Sequence, residues 1–267
     1  MLTTLLMALA VQTAPAQGKS LSIGNDRLTH GYLGPERKNS DFLPGEVVFV
    51  AFDILNMTFD DKSRASYSIA LEVLDGSGKV RFREVPRNLT ARNYLGGNKL
   101  QGVAQLQVPI EAKPGEYTLR VLVVDRANKA STSLERKARV VKGDFGLIHV
   151  HVSADPEGMV PRAPVGIVGE TLHINFAVVG FARDPDKKQP NIEVAMRLLD
   201  STGKATTEQP LTGKADKDIP PEFKIIPLQF AVTLDRVGQY TVELSATDKI
   251  SGKTSKVSFP IKVTSLE

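Results

Sequence analysis

Gly115-Glu116-Tyr117-Thr118-Leu119-Arg120-Val121-Leu122-Val123-Val124-Asp125 is the stretch that decides how this chain folds. Tyr117, Leu119, Val121 and Val123 recur at every second residue, the period of a β-strand with one buried face. A near-copy follows 123 residues later, Gly238-Gln239-Tyr240-Thr241-Val242-Glu243-Leu244-Ser245-Ala246-Thr247-Asp248. Two further pairs keep the same order. Leu74-Asp75-Gly76-Ser77-Gly78-Lys79 matches Leu199-Asp200-Ser201-Thr202-Gly203-Lys204, and Gly45-Glu46 matches Gly169-Glu170, at offsets of 125 and 124. Three ordered matches at nearly one offset mean two copies of one unit.

The alternation continues on either side of these blocks. After Gly45 the inward set is Val48, Val50, Phe52 and Ile54, against Leu172, Ile174, Phe176 and Val178. Next come Tyr67, Ile69, Leu71 and Val73, against Ile192, Val194, Met196 and Leu198. Leu106, Val108 and Ile110 align with Leu228, Phe230 and Val232, and Leu134, Ala138 and Val140 with Val257, Ile261 and Val263. No segment sustains a helical period. Short strands between Gly, Pro and Asn turns predict an all-β chain of two tandem antiparallel β-sandwiches, residues 17–142 and 147–267, joined at Val141–Gly146. Six joining residues leave little freedom, so an end-to-end pair with a small contact is expected. Residues 81–100, 153–168 and 205–222 read as long loops, the usual seat of function on a sandwich.

Gly-x-Tyr-Thr-Leu/Val followed by Asp125 or Asp248 resembles the penultimate-strand signature of immunoglobulin-like and fibronectin type III-like domains of bacterial secreted or surface proteins. The resemblance covers nearly the whole chain after residue 16 and implies fold alone. It places Tyr117 and Tyr240 at a tyrosine corner, the hydroxyl bonded to backbone. The chain departs from antibody-type domains in having no Cys pair and no core Trp. Leu234-Asp235-Arg236 with Tyr240, Ala246 and Asp248 is also faintly similar to cadherin repeats, but the inter-domain calcium motif is missing between the copies.

Composition narrows the chemistry. The 267 residues contain no Cys, which excludes disulfides, thiolate metal sites and a Cys nucleophile. Leu2 to Val11 is an apolar run followed by Ala14-Pro15-Ala16, the pattern of a signal peptide cleaved near Gln17. No Lys or Arg precedes the run; either the chain starts elsewhere or the α-amino group supplies the charge. The run is shorter than the roughly 20 residues a membrane span needs, and no later stretch fits one. The expected location is secreted, periplasmic or cell-surface. Residues 17–143 carry 20 Lys+Arg against 14 Asp+Glu, while 144–267 carry 14 against 16. A surplus this weak does not point to nucleic acid.

Gly-x-Ser-x-Gly, His-Glu-x-x-His, phosphate loops and dinucleotide fingerprints are all absent. Low aromatic content and no Trp weigh against a sugar cleft built on stacking, so no catalytic residue and no cofactor are assigned. Three constellations remain. His149 and His151 share a strand face by spacing, and His173 lies on the next strand, three imidazoles that suit Zn²⁺ or Cu²⁺ or else a solvated outer face. Asp60, Asp61 and Asp125, with Asp184, Asp186 and Asp248, gather at one end of each copy, suiting calcium or plain Asx-turns. Arg81, Arg83, Arg87 and Arg92 suit an acidic envelope polysaccharide or a solvated strand. The function expected is a non-catalytic binding or structural module of the cell envelope, with an unidentified protein or polysaccharide partner. The alternatives are a metal-binding exported protein and an enzyme with its site in the long loops.

Overall fold

The structure is a computed structural model and describes residues 20–266. The expected leader, residues 1–16, lies outside the described residues. The first half contains β1 (Ser22–Thr29), β2 (Asp41–Phe42), β3 (Val47–Leu55), β4 (Arg64–Asp75), β5 (Val80–Arg83), β6 (Arg87–Arg92), β7 (Lys99–Gln107), β8 (Gly115–Asp125) and β9 (Ser131–Val140). The second contains β10 (Gly146–Ser153), β11 (Val165–Ile167), β12 (Thr171–Val179), β13 (Ile192–Leu199), β14 (Leu211–Ala215), β15 (Ile225–Thr233), β16 (Gly238–Asp248) and β17 (Thr254–Thr264). There is no helix among the described residues, and so none long and apolar enough to cross a membrane.

Each half packs a three-stranded sheet on a larger one. β1-β3-β7 faces β2-β9-β8-β4, with β5 and β6 both paired to the far edge of β4. β10-β12-β15 faces β11-β17-β16-β13-β14. Each half also adds a short parallel strand to its larger sheet, β2 on β9 and β11 on β17. The expected inward sets of β3, β4 and β12 are buried throughout, and those of the Tyr strands are buried beyond the half-buried Tyr117 and Tyr240. They form one core spanning Leu21 to Val140 and a separate one spanning Phe145 to Val263.

Cross-strand partners correct one alignment. Val48 lies opposite Leu106, and Leu172 opposite Val232. Leu106 therefore corresponds to Val232, not to Leu228. Gly102 and Ala104 stand where the second half has Leu228 and Phe230. The cores compensate differently. Phe176 stacks on Phe230 with centroids 5.6 Å apart. Phe52 instead lies over Gly102, where a Cβ would come within 2.3 Å of the ring.

The expected loop at 81–100 is mostly strand. β4 is twelve residues long, and β5 and β6 divide its edge between them, with Glu84–Pro86 as the break. Pro86 has no N–H for the ladder, which accounts for the interruption. Residues 205–222 likewise contain β14, and 153–168 contain β11.

Turn chemistry repeats as closely as the strands. The Tyr117 hydroxyl donates to the Lys113 carbonyl at 2.9 Å, and that of Tyr240 to Arg236 at 3.2 Å. The rings are half-buried, so the corner is formed at the sandwich rim. Asp125 and Asp248, wholly buried, tie the turn after the Tyr strand to the segment after the second long strand. Asp125 accepts the amides of Thr58 and Ala127, each at 2.9 Å. Asp248 accepts the amides of Ala182 and Ile250 and the Ser251 hydroxyl. Burial opposes ionisation of Asp248, but those donors together outweigh it and hold the carboxyl below its usual range.

Two outcomes follow. Tyr117→Phe and Tyr240→Phe each remove one hydrogen bond and should cost about 1 kcal/mol in denaturant unfolding. A carboxyl with a depressed folded pKa contributes stability above its unfolded value near 3.9 and loses it as pH falls through the folded one. Asp248→Asn should cost about 2 kcal/mol at pH 7 and soften the loss of stability below pH 4. An acid profile identical to that of the parent protein would contradict the carboxylate's role.

Candidate functional site

The place where unusual residues converge is the junction of the two cores. β9 ends at Val140 and β10 starts at Gly146. Between them Val141 donates its amide to Phe42 at 2.9 Å, and the Phe145 ring enters the second core. Gly45 is buried with φ of +90°, and a Cβ there would lie 3.1 Å from both Ile110 and Ile225. At Gly146 a Cβ would meet Leu43 at 2.2 Å. Ile148, Ala177 and Val179 of the second half form a small buried cluster capped by Leu43 of the first.

A pair of matched bulges supplies the polar contact. β1 is irregular between Gly24 and Arg27, and β10 between Ile148 and His151. At each bulge one residue turns left-handed, Asn25 with φ of 49° and His149 with φ of 54°. The Asn25 amide reaches Asp53 of its own sheet at 2.6 Å. His149 has no such partner, because Ala177 occupies the place of Asp53. Its Nε2 meets the Gly45 carbonyl at 2.8 Å instead. The same kind of bulge that closes a sheet in the first half crosses to the other half in the second.

Beneath this contact lies a cavity of about 280 Å³, lined by His30, Tyr32, Arg37, Phe49, Gln105 and His149 among others. Arg37 and Glu46 form an ion pair at its floor, with side chains 10% and 8% exposed. Arg37 also donates to the Asp41 carbonyl at 2.7 Å and sits 4.3 Å from the Phe42 ring centre. Burial pushes the Glu46 carboxyl up, against the pull of Arg37 and of the Leu43 amide. The second half repeats the arrangement with Arg162, Glu170 and the Ile167 amide, but 26% and 36% exposed. Burial of the pair is thus particular to the first half, where the second covers it. Gly31 lies against His151. The His30 ring is tilted 39° to Phe259 of the second core, 6.4 Å away. Burial first, and Arg37 second, lower the His30 pKa to about 4.

The sequence-derived candidates fall elsewhere or apart. The bulge breaks the period on which a shared face for His149 and His151 rested. His151 turns to the His149 and Gly158 carbonyls, and His173 to Gln229. Asp60 accepts the amides of Lys62 and Arg64 and pairs with the Arg64 side chain. Asp184 accepts the amides of Asp186 and Lys187. Asp61 and Asp186 stay exposed, while Asp125 and Asp248 are spent on amides. No three His, Asp or Glu side chains are gathered to hold a metal ion among the described residues. Arg81, Arg83 and Arg87 pair with Asp75, Glu72 and Glu84, and Arg92 lies 5.5 Å from the Tyr94 ring centre. His30, Arg37 and Glu46 were not singled out by sequence. The one signal was Gly45-Glu46 as a repeated turn.

No protein-family model matches the chain, and no curated protein does. Among solved structures, it is similar to the C-terminal domain of the Streptococcus pyogenes antigen I/II-family protein AspA, at 10% identity and a TM-score of 0.31, covering 91% of this chain and 100% of that one. It is also similar to the C-terminal domain of the Streptococcus agalactiae antigen I/II polypeptide BspA, at 9% identity and a TM-score of 0.32, over 90% and 100%.

His30 gives the junction a testable pH dependence. A His held neutral by burial contributes stability above its unfolded pKa of 6.5 and loses it as pH falls toward about 4. His30→Phe should keep the ring packing and lose less melting temperature than the parent protein between pH 6.5 and 4. Equal losses would place His30 outside the buried junction.

Proposed function

We propose that this chain is a non-catalytic binding or structural module of a cell envelope, built from two immunoglobulin-like domains, residues 17–142 and 147–267. In this reading its service is geometric. Two rigid sandwiches hold their loops and edges at a fixed spacing and angle. The observation that carries it is the bond from His149 to the Gly45 carbonyl, set between the Leu43–Ile148 contact and the buried Arg37–Glu46 pair. A flexible tether needs no such residues, since Gly and Ser suffice to join independent domains. Placement outside the cytoplasm is supported by the leader pattern of residues 1–16.

Backbone ¹⁵N relaxation tests the rigid pairing. Residues 17–267 should tumble with one correlation time in both halves. His149→Ala should loosen the halves toward separate correlation times, while each core keeps its own melting behaviour. Independent tumbling in the parent protein would overturn the reading.

A further inference from the structure

Among the described residues, one sheet edge is less defended than the rest. An exposed edge strand invites pairing with another chain, and proteins blunt such edges with charges, Pro, bulges or short length. The other edges here carry such devices. β1 and β10 are bulged, β2 and β11 are two and three residues long, and β14 carries Lys214. β5 and β6 carry Arg81, Arg83, Arg87 and Arg92, and β15 has Pro227 at its third position. β7 has none. It is nine residues long, regular in register, free of Pro and uncharged after Lys99, which is tied to Asp53.

The free side of β7 can be read from its ladder. Val108 exchanges bonds with the turn at Gly45 and Glu46, and Asn98 accepts from Met57, so even-numbered residues face β3. The backbone groups of Gln101, Val103, Gln105 and Gln107 therefore face away from it. At the Leu106–Gln107 end of β7 the sandwich is open. A largely apolar cleft of about 490 Å³ lies there between the two sheets, walled by Phe42, Val73, Phe82, Leu106, Tyr117 and Val140. Lys113 stands at its lining, with Arg81 paired there to Asp75, in a half that carries six more positive than negative side chains over residues 17–143.

We propose that β7 is a docking edge for an extended segment of a partner protein, apolar at every second residue and net acidic, which adds a strand to β1-β3-β7 and fills the cleft. Main-chain bonds to β7 supply affinity and the cleft selects alternate side chains. The cationic flank selects charge. A second copy is the poorer occupant, because it would bring the same positive surplus of residues 17–143 to the edge. The inference rests on the reading of the chain as a binding module and names the partner's chemistry.

The probes are a blocked decapeptide of five Val-Glu repeats and its Val-Lys counterpart, added to residues 17–267. The Val-Glu peptide should bind at least tenfold more tightly and slow hydrogen exchange at Gln101, Val103, Gln105 and Gln107. Val103→Pro removes one outward N–H and no bond to β3, so it should keep the melting temperature and lower affinity at least tenfold. Should that variant unfold, Gln105→Pro makes the same test. Absence of binding by the Val-Glu peptide, preference for Val-Lys, or protection away from β7 would overturn the proposal. Concentration-dependent dimers protected at β7 without peptide would also overturn it, assigning the edge to a second copy. None of these outcomes bears on whether the two halves share one correlation time, which is what tests the rigid pairing.

Discussion

Gly45 holds the two halves together by having no side chain. The residue is buried, its φ of +90° favours Gly, and a Cβ would crowd the Ile110 and Ile225 side chains at 3.1 Å. Its carbonyl receives His149, and the residue beside it, Glu46, receives Arg37. Glu46 also accepts the Leu43 amide, which fixes the turn that carries Leu43 onto Ile148. A larger residue would be strained at that φ and would press on both isoleucines. The buried ion pair contributes little net stability by itself, because desolvation offsets most of its attraction. Its effect is positional, since a lone buried charge costs far more than the pair.

The strands were legible because burial on one face imposes a period that needs no tertiary knowledge. The Tyr strands, β3, β4 and β12 all follow it. β5 and β6 escaped because both faces carry polar or half-exposed residues. Arg81, Phe82 and Arg83 are all exposed, so no apolar set marks the strand. The register of β7 escaped for a different reason. Gly102 and Ala104 are core residues too small to register as apolar, and Phe52 supplies the missing volume from the neighbouring strand. His149 was visible as a residue of interest, but its partner was not. A bulge reverses which face a side chain occupies, and nothing in the spacing of His149 and His151 announces one.

What distinguishes the halves lies where equivalent positions have diverged. Asn25 and His149 sit at the same bulge and serve different ends, one within a sheet and one across the junction. Arg37–Glu46 and Arg162–Glu170 brace the same turn, and only the first is covered. The shared residues are those of the fold, including the Asp at the end of each Tyr strand and the Tyr hydroxyl at each corner. A repeat therefore separates framework from function without any alignment of relatives, because each copy serves as the other's control.

The same comparison shows how the edge strands of the two halves differ. The second half fills the middle of its core from the edge strand itself, through Phe230 stacked on Phe176, and tethers Gln229 of that strand to Asn175 and the Pro156 carbonyl. Aromatic pairing of that kind adds about 1 kcal/mol beyond burial. β15 thus closes its side of the sandwich and carries Pro227 as well. β7 offers small residues at the matching core positions, where Phe52 fills the space, and no Pro; the cleft opens further along, beside Leu106 and Val108. Close packing is the rule in protein interiors, so an apolar cleft of this size beside an unpaired strand has a physical cost in the isolated chain. A partner strand recovers that cost at the same moment as it satisfies the free backbone groups of β7, which is why the two features belong to one site.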